Sequence, residues 1–422
     1  MLQTTANTAP VLRRRVFYIP GFDPAPPRRY RELYRSEARA QAAISGYAID
    51  VEPRHGTGAF GWSVTALMDG QVVRTEFDVL VWSDIVRASM GGGVFATYWQ
   101  LFRTTWIYIT TGALFRLAQL RKGPVIAALY PIVVLLTELA VAGGIGWCVA
   151  ILCIFGLQGL SDLVYGPARF GPWFEQTVYL SLIAGVSAAL LLLRWFKRHD
   201  ARIFAYYLMH DYAFTAQFRG AYPPQMEARL GVFRAAITEA TEQGYDEVLV
   251  VGHSSGAHLA VSVLADILRS GTSAVPLGFL SLGQVVPMVS FLPNAQRLRA
   301  DLHFLSASNG LTWVDVTAPG DGCAFALCDP VAVTGVAAAG KIWPLVVSAA
   351  FTQTLSPARW KALRWRFFRL HFQYLCAFDR PGDYDYFRIT AGAVTLAARF
   401  AGRQASKSRI ERATSAYTGR AA

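Results

Sequence analysis

Acidic residues are scarce in this chain. Its 422 residues hold 28 Asp and Glu against 40 Lys and Arg, and charged residues of both signs make up only 16%. Cysteine is scarcer, with five: Cys148, Cys153, Cys323, Cys328 and Cys376. The odd count and the lack of any C-x-x-C pair argue against a disulfide framework or a zinc site and fit a reducing compartment. The first ten residues, Met1 to Pro10, lack an apolar core, so no cleavable signal peptide is expected. No internal repeat and no nucleic-acid motif is present. The formal charge of +12 comes from scattered arginines, which suits anionic lipid headgroups better than nucleic acid.

Apolar residues are plentiful. They make up 53% of the chain, and the mean hydropathy is +0.31. Val125 to Leu157 holds no Lys, Arg or Asp and one Glu, Glu138. A bilayer core needs roughly 20 apolar residues, and this run exceeds that. A second uncharged run, Thr177 to Leu193, is extended by Trp173 and Phe174 on one side. The predicted spans are about 125–157 and 174–196. Arg116, Arg121 and Lys122 precede the pair, Arg194, Lys197, Arg198 and Arg202 follow it, and the link from Gly159 to Pro172 holds only Arg169. The positive-inside rule then predicts a hairpin with both long flanks, and both termini, cytoplasmic. The alternative is a pair of buried helices in a large soluble protein. Glu138 lies where charge is costly, and one glutamate does not make a transport path.

Before the hairpin, apolar residues recur at helical spacing from Phe95 to Leu120, with Trp99, Trp106 and Arg103 among them. This predicts one amphipathic helix, either at a membrane interface or against a core. The chain before it reads as strands at Val16–Ile19, Tyr47–Val51, Trp62–Met68, Val72–Phe77 and Val79–Trp82, with a helix over Pro27–Ile44. Asp69-Gly70 is a two-residue hairpin signal.

After the hairpin, Arg202–Phe218 and Met226–Gln243 read as helices. The apolar run Val248–Val251 then enters Gly252-His253-Ser254-Ser255-Gly256, and a helical pattern follows to Arg269. Strand, sharp turn and helix around G-x-S-x-G form the setting of a nucleophile elbow, with Ser254 as the candidate nucleophile. Leu277–Val289 reads as a strand with its exit loop, Ala295–Leu305 as a helix and Leu311–Val316 as a strand. The residues after Gly402 are basic with small polar residues, and disorder or a place on the membrane surface is expected there.

A serine hydroxyl needs a base, and the base needs a carboxylate to fix its tautomer. At Gly252–Gly256, with the alternating strands and helices and the Pro20-Gly21-Phe22 turn, the sequence resembles the α/β-hydrolase superfamily. The loop Pro319-Gly320-Asp321-Gly322 is similar to the acid loop of its lipase-type members. The resemblance implies a mostly parallel α/β sheet flanked by helices, interrupted here by the two-helix transmembrane insertion. It also implies the chain order serine, acid, histidine. His55, His199 and His210 precede the serine. His253 belongs to the elbow and should point away from the nucleophile, His258 lies on the following helix, and His303 precedes the acid loop. That leaves His371 as the base. Asp321 is the favoured acid, with Asp315 and Asp329 as alternatives. The oxyanion donors would be the N–H groups of Ser255 and Phe22.

The expected layout is a hydrolase domain in two parts, 1–92 and 201–401. An interfacial helix and hairpin at 93–200 would separate them, and a tail at 402–422 would follow. The expected function is cleavage of an ester, with an acyl-lipid or other amphiphilic ester as substrate, without metal or cofactor. An acyltransferase with the same triad and a catalytically inactive membrane scaffold remain alternatives. The partner expected is the lipid bilayer with its anionic headgroups.

Overall fold

The computed structural model describes residues 9–54, 59–166, 174–200, 203–271 and 273–421. His55, Arg169, Trp173 and Arg202 lie outside the described residues. The chain is α/β, built on an eight-stranded sheet in the order β2-β3-β4-β1-β5-β6-β7-β8. The strands are β1 (Arg13–Ile19), β2 (Ala48–Pro53), β3 (Gly61–Met68), β4 (Gln71–Val79), β5 (Glu247–His253), β6 (Leu277–Leu282), β7 (Thr312–Thr317) and β8 (Leu345–Ser348). Only β2, β3 and β4 pair antiparallel to one another. All other neighbours, from β4 through β1 to β8, are parallel.

Every residue of β5 and β6 is buried, as expected of parallel strands covered on both faces. Strand β3 instead alternates along its second half, with Thr65 and Leu67 exposed between buried Val64, Ala66 and Met68. Asp69 and Gly70 close its hairpin to β4 with positive φ, the conformation that two-residue hairpin turns require. The amino ends of β1 and β5 are joined by a buried ion pair. Arg14 Nε donates to Glu247 at 2.6 Å, and the guanidinium also donates to the carbonyls of Gly392 and Val394. Leu396 N–H completes the far carboxylate oxygen of Glu247, so neither charge is buried without partners.

On one face of the sheet lies α1 (Arg28–Ser45), ended by Gly46 at φ 72°. Its Tyr30, Tyr34 and Ala38 pack with Val16, Tyr18, Leu249, Val251, Leu280 and Val314. Strand β4 leads into α2 (Ser83–Ser89). Then come α3 (Val94–Thr110), α4 (Ala113–Leu120), α5 (Lys122–Tyr165), α6 (Phe174–Arg198), α7 (Ala205–Ala216) and α8 (Pro224–Thr241). Helix α9 (Gly256–Ser270) packs on β5, on α8 and on α11 (Gln296–Ser306), after the short α10 (Val286–Ser290). Beyond β7 lie α12 (Pro330–Thr334), α13 (Phe351–Thr354), α14 (Pro357–Leu363) and α15 (Phe367–His371).

The chain divides into two compact units. One takes in Met1–Ser89, Trp106–Ala127 and Phe214–Ala422, and the other Met90–Thr105 and Ala128–Ala213. Residues 106–127 join the sheet-bearing unit, and 203–213 join the helical one. Helix α5, whose residues from Ala128 lie in the helical unit, and α6 are both long and apolar enough to cross a membrane. They meet through small residues. A Cβ built on Gly146 would come 2.6 Å from the Gly185 carbonyl oxygen, and one on Gly185 would come 2.9 Å from the Cβ of Ala150. Each helix carries a Gly-x-x-x-Ala motif here, Gly146–Ala150 and Gly185–Ala189, and such motifs let backbones approach closely.

Four expectations need correction. Residues 79–82 are not a separate strand. Strand β4 runs to Val79, and the chain then turns into α2, with the Trp82 indole donating to the Pro20 carbonyl at 2.9 Å. The stretch 95–120 is two helices, because Gly112 takes a left-handed φ of 70° and breaks it. On α3 one face is buried (Thr97, Leu101, Thr104, Ile107), while Phe95, Trp99, Phe102 and Trp106 form an exposed aromatic stripe. Residues 286–290 are helix α10 rather than loop. The tail after Gly402 is ordered, because it has backbone partners. Ile410 N–H donates to Leu327, Asp329 N–H to Ile410, and Thr414 N–H to Val333, and Thr414 is buried.

Candidate active site

The sheet order places β1 beside β5, with β2 to β4 on one side and β6 to β8 on the other. The switch in direction falls between β1 and β5, the place where open α/β sheets leave a crevice at the carboxyl ends of their strands. Ile19 pairs with Gly252 at the ends of these strands, so the turn after β1 and the turn after β5 emerge side by side.

Ser254 follows β5 directly and has φ 55°. A left-handed conformation costs a non-glycine residue roughly 1–2 kcal/mol. Two backbone hydrogen bonds hold it there: Ser254 N–H donates to Leu282 at 2.9 Å, and its carbonyl accepts from Ala257 at 3.1 Å. Gly256 is required by closeness, since a Cβ there would lie 2.1 Å from the Ile19 carbonyl oxygen. Gly21 sits against the serine itself. A Cβ on Gly21 would come 2.9 Å from Ser254 Cβ and 3.4 Å from its Oγ. Ser255 precedes the first turn of α9, where backbone N–H groups have no partner within the helix. Phe22 is buried, its ring packed on Trp82 and Phe214.

His371, at the end of α15, and Asp321, in the loop after β7, are brought together from fifty residues apart. Nδ1 of His371 donates to Oδ2 of Asp321 at 2.7 Å. The same oxygen accepts the Tyr374 hydroxyl at 3.0 Å, and Oδ1 accepts the Cys323 N–H at 2.9 Å. Both side chains are buried. Burial alone would raise the Asp321 carboxyl. The adjacent His371 and the hydrogen bonds from His371, Cys323 and Tyr374 outweigh it and hold the group below the ordinary carboxylate range. Asp321 is thus kept ionised.

Three contacts place this pair next to the elbow. Nε2 of His253 donates to the His371 carbonyl at 3.0 Å. The two imidazole rings are 4.9 Å apart. Gly283, which follows the residue that accepts the Ser254 N–H, lies against the His371 ring, and a Cβ on it would come 3.1 Å from Cε1. Burial, and then the nearby His371, push His253 down to about 3, so it is neutral and can donate. No hydrogen bond joins the Ser254 hydroxyl to His371 among the described residues.

The chain matches no family model, no curated protein and no solved structure.

Most of the other candidates are engaged elsewhere. Asp315 lies within β7, fully buried, and accepts from Ser281 at 2.6 Å. Burial pushes its carboxyl up to about 8 against the Ser281 hydrogen bond, and Asp329 adds to the rise. Asp329 caps α12 and pairs with Lys341 at 2.6 Å. His258 faces the Tyr222 hydroxyl, His303 the Val336 carbonyl, and His199 the Trp195 carbonyl. His210 is buried in the helical unit. Tyr374 is a site residue that sequence reasoning missed, and His253, set aside there as an elbow residue, packs against His371. Tyr374 follows His371 by three residues, but nothing in the pattern marks its hydroxyl, which also accepts the Ala318 N–H.

Asp321, Cys323 and His371 each offer a ligand atom within 4.8 Å of the others, as a metal site would require. A cation bound there would have to displace the proton that Nδ1 shares with Asp321, and the arrangement as it stands is a hydrogen-bonded acid–imidazole pair.

Proposed function

We propose that this protein is a membrane-anchored serine hydrolase of α/β-hydrolase fold, with Ser254, His371 and Asp321 as its triad. The observation that carries the reading is the strained serine at the end of β5, beside a buried imidazole whose Nδ1 is held by an ionised aspartate. Ser254 Oγ attacks an ester carbonyl carbon while its proton passes to Nε2 of His371. The carbonyl oxygen becomes an oxyanion and accepts from the N–H groups of Ser255 and Phe22. The carbon–oxygen bond to the alcohol breaks, and the alcohol leaves with the proton from His371. Water then attacks the acyl-enzyme, gives a proton to Nε2, and Ser254 is released with that proton. Asp321 fixes the tautomer that leaves Nε2 free to accept. Tyr374 and the Cys323 N–H position Asp321.

The long apolar helices α5 and α6 support a membrane hairpin. The basic residues flanking it favour a cytoplasmic catalytic unit. Both, with the exposed aromatic stripe of α3, make an amphiphilic ester the substrate class of choice. With an alcohol in place of water the same steps give acyl transfer, and product analysis with added acceptors separates the two.

A fluorophosphonate probe tests the reading. The wild-type protein should be labelled and Ser254→Ala should not, and equal labelling of both would remove Ser254 as nucleophile. The missing Ser254–His371 hydrogen bond is what a non-catalytic scaffold on the same fold would rest on. Such hydrogen bonds often close only with substrate present, and absence of labelling in a folded wild-type protein would favour the scaffold.

A further inference from the structure

The segment Ser356–Arg369 contains five basic residues and no acidic one. Two of the five are tied down: Arg359 pairs with Asp379 and Glu37, and Arg369 pairs with Glu37. Lys361, Arg364 and Arg366 are exposed and form no ion pair among the described residues. Between them stand Trp365, 72% exposed, and Phe367, 48% exposed. Their rings meet edge to face at 6.4 Å, and the Arg364 guanidinium lies 5.6 Å from the Trp365 ring. A large indole left in the open beside three unpaired cations is costly in water and suited to a headgroup layer.

The position of this tip says which surface it meets. Phe367 packs on Gly322 of the acid loop, where a Cβ would come 3.2 Å from the ring. Gly123, in the first turn of α5, packs on the same residue, where a Cβ built on Gly123 would come 3.1 Å from the Gly322 Cα. The uncharged run of α5 begins at Val125, about 3 Å further along the helix axis at the usual rise. The acid loop, the tip and the point where α5 turns apolar therefore share one residue as neighbour. We propose that Arg364–Phe367, with Lys361, is an anchor that inserts Trp365 and Phe367 into the interface of an anionic bilayer and holds the Ser254 crevice open to lipid. This deepens the function proposed above and rests on α5 crossing that bilayer.

Photo-cross-linking in nanodiscs tests the anchor without using activity. The full chain carries p-benzoylphenylalanine in place of Trp365, of Phe367 or of Val72. Val72 is exposed and lies at the start of β4, at the opposite end of the sheet from the crevice. Nanodiscs hold either phosphatidylglycerol with phosphatidylcholine, or phosphatidylcholine alone. The expected result is a lipid adduct at 365 and 367 in the anionic discs and none at 72. The triple variant Lys361→Gln, Arg364→Gln, Arg366→Gln should bring the adduct in anionic discs down to the phosphatidylcholine level. No adduct at 365 and 367, an equal adduct at 72, equal yields in both lipids, or an adduct to a second copy of the chain would each overturn the proposal. Fluorophosphonate labelling of Ser254 in the same discs keeps the two readings apart. Labelling without lipid adduct defeats only the anchor, and adduct without labelling defeats only the hydrolase.

Discussion

On the proposed mechanism, replacing Asp321 by Asn changes almost no volume and should nonetheless remove most hydrolase activity. The carboxylate now accepts three hydrogen bonds: from His371 Nδ1 and the Tyr374 hydroxyl on Oδ2, and from the Cys323 N–H on Oδ1. An amide has one oxygen. If that oxygen stays with Cys323, the NH2 group faces Nδ1 and can only donate to it. The imidazole must then carry its proton on Nε2, the atom that accepts from Ser254 in the proposed mechanism. If the amide flips, the Cys323 N–H meets a donor and loses its acceptor. Either arrangement leaves a buried donor unpaired, at a cost to stability of about 1–3 kcal/mol. The wrong tautomer is expected to lower turnover about 10⁴-fold, equivalent to about 5.4 kcal/mol of barrier. Turnover of a soluble aryl ester and the rate of fluorophosphonate labelling would both report it, with a thermal melt to show that the variant folds. Tyr374→Phe removes one of the three bonds and should cost about tenfold, from about 1–1.5 kcal/mol. Retention of more than a tenth of wild-type turnover by Asp321→Asn would mean that Asp321 is not the acid.

Three further outcomes are expected. Ser254→Gly relieves the left-handed backbone and should be about 1 kcal/mol more stable than Ser254→Ala, both being unlabelled, and a melt that ranks Ala above Gly would contradict the strain at φ 55°. His253 and His258 are both pushed down to about 3 by burial. The unfolded chain binds their protons first, so their contribution to stability is present above the ordinary histidine range and declines as pH falls toward 3. Between pH 7 and pH 5 the two together should cost about 4 kcal/mol, seen as a falling unfolding midpoint that His258→Gln makes shallower. Gly146→Val should lower the melting midpoint in detergent, because its Cβ would meet the Gly185 carbonyl, whereas Gly144→Val, with open space around it, should not. Equal effects at the two positions would refute the close packing of α5 on α6.

Much of this protein is written in local pattern. The apolar run of β5, the glycines at 252 and 256 and the helix after them are consecutive, so backbone sterics within ten residues make the elbow. The Asp69-Gly70 hairpin, the stop of α1 at Gly46 and the two long apolar helices are equally local. The chain order of the proposed triad, Ser254, Asp321 and His371, is also read from the sequence. What the tertiary structure decided is everything that depends on distant partners. Strand β8 has four residues and exists because β7 pairs with it. The tail reads as disordered by composition, yet it is ordered by carbonyls near residues 327–333. Asp315, Asp321 and Asp329 are chemically identical in the sequence. Only folding gives the first to Ser281, the third to Lys341, and the second to His371 and Tyr374. Periodicity records which side of an element is apolar, because that is set by neighbours in the chain. Which carboxylate meets which imidazole is set by the order of strands in the sheet, and no local pattern carries it.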